Sequence, residues 1–302
     1  MAREALVEEP ERVAATWLAV RRDLVRSALV WRKLRRFVRH KSGMTGLVIV
    51  LVVAAAALLA PVLAPNDPTS LTPALLQGPS WAHPFGTDVL GRDVLSRVLY
   101  GARISPLIGV AAMAIAAGIG TVLGLVAGYL GGIVDSTIMR LMDMLLAFPG
   151  IILAIVVVAI LGPGLRNGMI AVGIAMVPTF ARVVRGEVLV ERERDYVTAA
   201  RGLGARARRI IFRELLPSVS APMIVLGTLG VAGAILAGAG LSFLGLGAQP
   251  PSPEWGSMLN EGRNYIATQW WIATFPGCAI AVTVLGINLM GDGLRDVLDP
   301  RL

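Results

Sequence analysis

The segment Tyr196–Pro217, YVTAARGLGARARRIIFRELLP, is an arginine-studded amphipathic stretch set between two long apolar runs. At helical spacing Val197, Ala200, Leu203, Gly204, Ala207, Ile210 and Ile211 share one face, and Arg201, Arg208, Arg209 and Arg213 fill much of the rest. The spacing predicts a helix. Pro217 opens the next apolar run and suits a first helical turn, where a missing N–H costs little. One reading is a helix lying on the inner membrane surface, its arginines on anionic headgroups.

Composition sets the class around that segment. A mean hydropathy of +0.70, 55% hydrophobic residues and only 16% charged residues describe an integral membrane protein. The net charge of +8 does not point to nucleic acid, because of where the charges sit. The two lysines, Lys33 and Lys41, lie near the N-terminus, so no lysine is available for a Gly-rich phosphate-cradling loop. Cys278 is alone, which excludes an internal disulfide and predicts a buried apolar thiol. His40 and His83 are far apart, and no metal site is expected.

A bilayer core of roughly 30 Å needs about 20 apolar residues as helix. The sequence predicts six spans, at about 44–65, 104–130, 139–161, 168–185, 217–236 and 270–290. The second is expected to end at Gly131-Gly132 and the third to kink at Pro149, after Phe148. The uncharged run Leu215–Pro253 is too long for one straight helix, so a Gly-rich break and a short helix should follow Leu236.

Eleven basic residues precede the first span, and nine lie between the fourth and fifth. With Arg140, Arg295 and Arg301 they make 23 on one side, against five on the other: Arg92, Arg97, Arg103, Arg166 and Arg263. The positive-inside rule then places both termini and the arginine-rich loop, residues 190–216, in the cytoplasm. Residues 1–43, with Trp17, Trp31 and Phe37, read as a basic cytoplasmic arm leading into a permease domain over 44–302. Such an N-terminus is no cleavable signal, its basic region being too long.

Ala199-Ala200-x-x-x-Gly204 followed by Leu216-Pro217 resembles the coupling loop of binding-protein-dependent ABC importer permeases. Four further stretches resemble the C-type permease of peptide importers: HPFGTDVLGRDVLSRVLYGAR (83–103), GGIVDSTIMRLMDMLLAFPGIILAI (131–155), LSFLGLGAQPPSPEWGSML (241–259) and NLMGDGLRDVLDPR (288–301). The likeness runs over residues 41–302. It implies an all-α type I ABC importer permease fold (MetI-like) with six transmembrane helices in a bacterial or archaeal cell (inner) membrane. It also implies a second homologous permease, two ATP-binding cassette ATPase subunits and an extracytoplasmic solute-binding protein as partners. Docking on the ATPase falls to Thr198, Ala199, Ala200, Gly204, Leu216 and Pro217. Two positions depart from the family pattern: Thr198, where glutamate is frequent, and Gly238, where an acidic residue often stands.

Several residues carry a structural reading beside the functional one. Asp143 can line the pathway, or it can pair with Arg140 at i,i+3. Gly118, Gly120, Gly124, Gly128 and the series from Gly227 to Gly240 can serve close packing within the chain or against a second permease. The outer stretch 83–103 predicts an amphipathic helix with Val94, Leu95, Val98, Leu99 and Ala102 on one stripe and Arg92, Asp93 and Arg97 elsewhere. The loop Gln249–Tyr265 is a connector or a surface near the binding protein.

No nucleophile–base pair or dinucleotide fingerprint is present, so the chain is not expected to be an enzyme or to hold a cofactor. The spans are nearly free of ionisable residues and show no inverted repeat, which disfavours a self-sufficient channel or secondary transporter. A peptide importer permease is the expected function. Relatives of this type also carry nickel chelates, glutathione or oligosaccharides.

Overall fold

The computed structural model describes residues 35–298, as helices joined by loops, with one isolated bridge between Thr87 and Asp93. Most of the predicted N-terminal arm, with Trp17 and Trp31, and Arg301 lie outside the described residues. Helix α1 runs Lys41–Leu63, α2 Val94–Leu130, α3 Gly132–Leu146, α4 Gly150–Leu161 and α5 Leu165–Glu191. Then come α6 (Asp195–Gly202), α7 (Ala207–Phe243, opening with a π turn at Ile210–Leu215), α8 (Trp255–Gly262) and α9 (Trp271–Leu298). Five of these are long and apolar enough to cross a membrane, or six if the bent pair α3–α4 is one span.

Local chemistry explains the boundaries. Asp93 caps α2 by accepting from the Ser96 amide at 2.8 Å, and α2 stops at Gly131, whose φ of +68° only glycine adopts freely. Residues 94–102, expected as an amphipathic helix, are helical and form the first turns of α2. The third predicted span is not a kinked helix. α3 and α4 are bent by 94°, because Pro149 breaks the ladder and caps α4 rather than continuing α3. The twelve residues of α4 rise about 18 Å, short of a full crossing. The pair still joins both ends of the bundle: Asp135 sits beside Arg185 near the end of α5, while Gly162 follows α4 near Gly164, whose amide donates to Leu246.

The break expected after Leu236 is absent. α7 continues through Gly238 and Gly240 to Phe243, and the short helix α8 follows only after a loop. Helices α2 and α5 run parallel. Gly120, Gly124 and Gly128 let α2 approach α5, since Cβ atoms there would press on Phe180, on Ala181 and Val184, and on Val188. Gly118 faces open space and has no such role within this chain. α7 lies against α2, with Gly230 beneath Met113 and Gly109 beneath Ile235. Gly238 is also on this seam, where a Cβ would stand 2.6 Å from Ile108 Cγ2, so this chain has no room for an acidic side chain there.

α1 attaches chiefly to α9. Gly43 meets Gly293, and Gly46 lies on the α9 backbone from Gly286 to Met290. Cys278, expected to be buried, is exposed on α9, where a thiol faces apolar surroundings as readily as a methyl.

The α1–α9 seam is testable. In Gly46→Val the first added carbon overlaps the Met290 backbone nitrogen and stands 2.5 Å from the Gly286 oxygen. Overpacking of this kind costs about 1–3 kcal/mol, and should lower the thermal unfolding midpoint in detergent. Gly118→Val, with nothing within 4 Å, should leave it unchanged. Equal shifts in the two variants would refute the seam.

Candidate functional site

The loop joining α5 to α7 forms one end of the bundle, and its parts are fixed from below by apolar packing. Val197, Ile210, Leu215 and Val219 are fully buried against Val184 and Val188 of α5. The segment is not the single helix its periodicity predicts. α6 ends in a turn in which the Gly204 amide donates to Arg201 O at 2.9 Å and the Ala205 amide to Ala200 O at 3.0 Å. Gly204 adopts φ +76°, a left-handed helix end that glycine adopts without strain. That turn rotates Leu203 and Gly204 off the apolar face. Leu203 stands 89% exposed, and nothing lies within 4 Å of the position of a Gly204 Cβ.

Of the six predicted docking residues, Thr198, Ala199 and Gly204 are exposed together along α6 and its turn, with Ala200 half-buried beside them. Leu216 is half-buried and Pro217 exposed at the start of α7's apolar run. Pro217 stands in the first turn of the α-helical stretch Leu216–Phe243, as expected, and because this stretch follows the π turn directly the chain enters the bundle without a break.

Ion pairs brace this end. Arg185 holds Asp135 through two parallel bonds, Nε to Oδ1 at 2.5 Å and a terminal nitrogen to Oδ2 at 2.6 Å, fixing the start of α3 to α5. Asp143 pairs with Arg182 at 2.5 Å, not with Arg140. Both reach across from neighbouring helices, and the inter-helix partner displaces the expected i,i+3 one. Arg192 donates to Gly128 O at 2.8 Å, tying α5 to the last turn of α2. Arg194 meets Glu191 at 3.0 Å, and Arg201 lies 5.3 Å from the centre of the Tyr129 ring. Tyr196 donates to Glu191 at 2.8 Å and also lies 3.1 Å from Ser218 Oγ, linking α6 to α7. Phe148 and Pro149 sit at the α3–α4 break, with Phe148 57% exposed.

The opposite end contains a second assembly that the periodicity concealed. Arg92, Asp93 and Arg97, expected off the apolar stripe, are buried. Arg92 bridges Asp88 at 2.6 Å and Glu261 at 2.6 Å, and Arg97 bridges the same two carboxylates. Two positive and two negative charges therefore neutralise one another between the loop before α2 and the end of α8. The Asp88–Arg92 spacing of four is visible in the sequence, but Glu261 is far along the chain and carries no local signal. Most of Gln249–Tyr265 is not a free loop: Trp255, Ser257 and Met258 are buried, and Trp255 donates its ring N–H to Val98 O at 2.9 Å. Glu254 caps α8 through the Gly256 and Ser257 amides, and burial pushes its carboxyl above the usual carboxylate range.

Residues 120–302 match the binding-protein-dependent transport system inner membrane component family. The chain belongs to that family. This permease also matches, over residues 28–79, the N-terminal transmembrane domain of oligopeptide transport permease C. It is 48% identical over 273 residues to a di/tripeptide transport system permease protein of Pseudomonas aeruginosa, covering 88% of this chain and 90% of that one. A dipeptide transport system permease of Alkalihalophilus pseudofirmus is 47% identical over 274 residues, with 90% of each chain covered. A glutathione transport system permease of Pectobacterium atrosepticum is 46% identical over 291 residues, with 95% of this chain and 96% of that one covered.

The buried charge cluster should dominate stability at its end. Arg97→Met removes one member and leaves Asp88 and Glu261 short of positive charge, a loss of about 3–5 kcal/mol for a buried group. Arg194→Gln removes the exposed arginine of its pair with Glu191, which keeps its bond from Tyr196, and should cost less than about 1 kcal/mol. Unfolding midpoints of the two variants check this. A smaller loss for Arg97→Met than for Arg194→Gln would show that the cluster does not hold α8.

Proposed function

We propose that this permease is one half of the membrane pathway of an ATP-driven importer for di- and oligopeptides, with both termini and the arginine-rich end in the cytoplasm. The carrying observation is the near-full-length likeness to permeases of dipeptide and di/tripeptide systems, at 47% and 48% identity. The glutathione permease, similar at 46%, supports a second cargo of the same chemical kind, a short peptide. A homologous permease, two ATPase subunits and an extracytoplasmic binding protein complete the machine, and ATP hydrolysis belongs to the ATPases.

Energy input enters at α6 and its turn. Thr198, Ala199, Leu203 and Gly204 form an exposed apolar-to-small surface on a short helix anchored by buried Val197. Such a helix transmits a push because its base cannot slide. Force on it passes to α5, and through Asp135–Arg185 and Asp143–Arg182 to α3, beside the break at Phe148 and Pro149. Thr198 supplies no charge, so this contact rests on shape and apolar area.

Orientation is checked by thiol labelling in a Cys278→Ala background, since the native thiol is exposed. A cysteine at Ser80 should react with an impermeant reagent from outside, and one at Ala205 only from inside. The reverse pattern would overturn the topology.

Docking is checked at Gly204. Gly204→Glu places a carboxylate at the tip and should abolish peptide uptake and ATPase co-purification while membrane insertion persists. Gly204→Asn, whose side chain tolerates positive φ, should retain most of both. Near-normal uptake and co-purification with Gly204→Glu would remove this loop from the ATPase interface.

A further inference from the structure

Four arginines at the basic end have no part in the braces described above. Arg206, Arg208, Arg209 and Arg213, with Phe212, line a concavity of about 490 Å³ at the start of α7. Arg182, Arg185, Arg192 and Arg194 each have a carboxylate, and Arg201 has the Tyr129 ring. No carboxylate lies within ion-pair distance of the other four among the described residues. Arg209 and Arg213 stand four apart, where like charges repel.

We propose that this concavity binds the phosphate headgroup of an anionic phospholipid in the cytoplasmic leaflet. The assignment rests on the cytoplasmic placement proposed above. Depth supports a lipid source: at 1.5 Å per residue, Arg209 and Arg213 lie about 9 and 3 Å before Leu215, where the apolar run begins. That is headgroup level for a helix entering a bilayer. Phe212, 53% exposed among the arginines, suits the boundary where aromatic rings meet acyl chains. Guanidinium forks match phosphate oxygens in pairs, and several converging on one anion relieve their own repulsion. Leu203 and Gly204 do not line this concavity.

The full-length permease, purified in detergent, is titrated with phosphatidylglycerol and with phosphatidylcholine of the same acyl chains, and bound lipid is read by native mass spectrometry. Phosphatidylglycerol should bind on the order of tenfold or more tighter, a preference that falls as salt rises. The triple variant Arg208→Gln, Arg209→Gln, Arg213→Gln should bring the ratio near one. The corresponding triple lysine variant should keep most of the preference, and Arg263→Gln at the opposite end should keep all of it. If the glutamine variant does not stay monodisperse, the wild-type lipid ratio and its salt dependence decide. Equal binding of the two lipids, or an unchanged ratio in a folded glutamine variant, would overturn the site. Millimolar pyrophosphate displacing the bound lipid would assign the cluster to a soluble anion instead. Loss of ATPase co-purification with an unaltered lipid ratio would make it a protein contact. Labelling of an Ala205 cysteine from outside would show instead that the orientation had failed.

Discussion

Gly120, Gly124 and Gly128 recur at intervals of four, so one stripe of α2 has no side chain to hold α5 away. Phe180, Val184 and Val188 settle onto that stripe, and the two helices run side by side in the same direction. Most of the basic end depends on this approach. Arg192 reaches Gly128 O because α5 is close enough at its last turns, and Arg201 reaches Tyr129 for the same reason. The apolar pocket that receives Val197, Ile210 and Leu215 is walled by α5 residues already pressed on α2. A surface loop built on a loose helix pair would move independently of the spans; this one is bound to their closest contact.

The two ends of the bundle solve different problems. At one, a long loop and α8 are joined by a neutral quartet of charges, three of them buried and Glu261 partly so, which suits a cap that keeps its shape. At the other, partly exposed pairs join α3 to α5, ahead of the 94° break between α3 and α4. Exposed pairs contribute little to stability, but they fix which helices are tied to each other. The stiff cap and the jointed base follow from where the same residue types are buried.

Much of the fold was legible in the sequence because apolar run length is a direct signal of helices that can cross a bilayer. Lys41–Leu63 and Trp271–Leu298 fall close to the apolar runs at 44–65 and 270–290 for that reason. The failures share a cause, which is that hydropathy does not report backbone geometry. Pro149 predicted a kink, yet the turn residues around it produced a break. Gly238 and Gly240 predicted a break, yet a glycine packed against a neighbouring helix stays helical because the contact offsets its weak propensity. In the loop, helical periodicity placed Leu203 on the buried face, and the positive φ at Gly204 turned it outward. Asp143 had a local partner three residues away, Arg140, but the neighbouring helix brought a better-placed arginine. Sequence spacing sees only the first.

Charge is where counting and structure part. The excess of 23 basic residues over five predicts orientation because insertion reads an unfolded chain, in which every arginine is unpaired. The folded molecule displays a different field. Arg92 and Arg97 are cancelled by Asp88 and Glu261. Arg182, Arg185, Arg192 and Arg194 are each matched by a carboxylate. Within the loop, the positive charge left unmatched gathers in Arg206, Arg208, Arg209 and Arg213, within about 14 Å of the apolar boundary at Leu215 along the helix rise. An arginine needed only for topology could sit anywhere in the loop and pair with any acid there. Four that line one concavity, with no carboxylate at ion-pair distance among the described residues, leave a patch of positive charge suited to an anion from outside the chain.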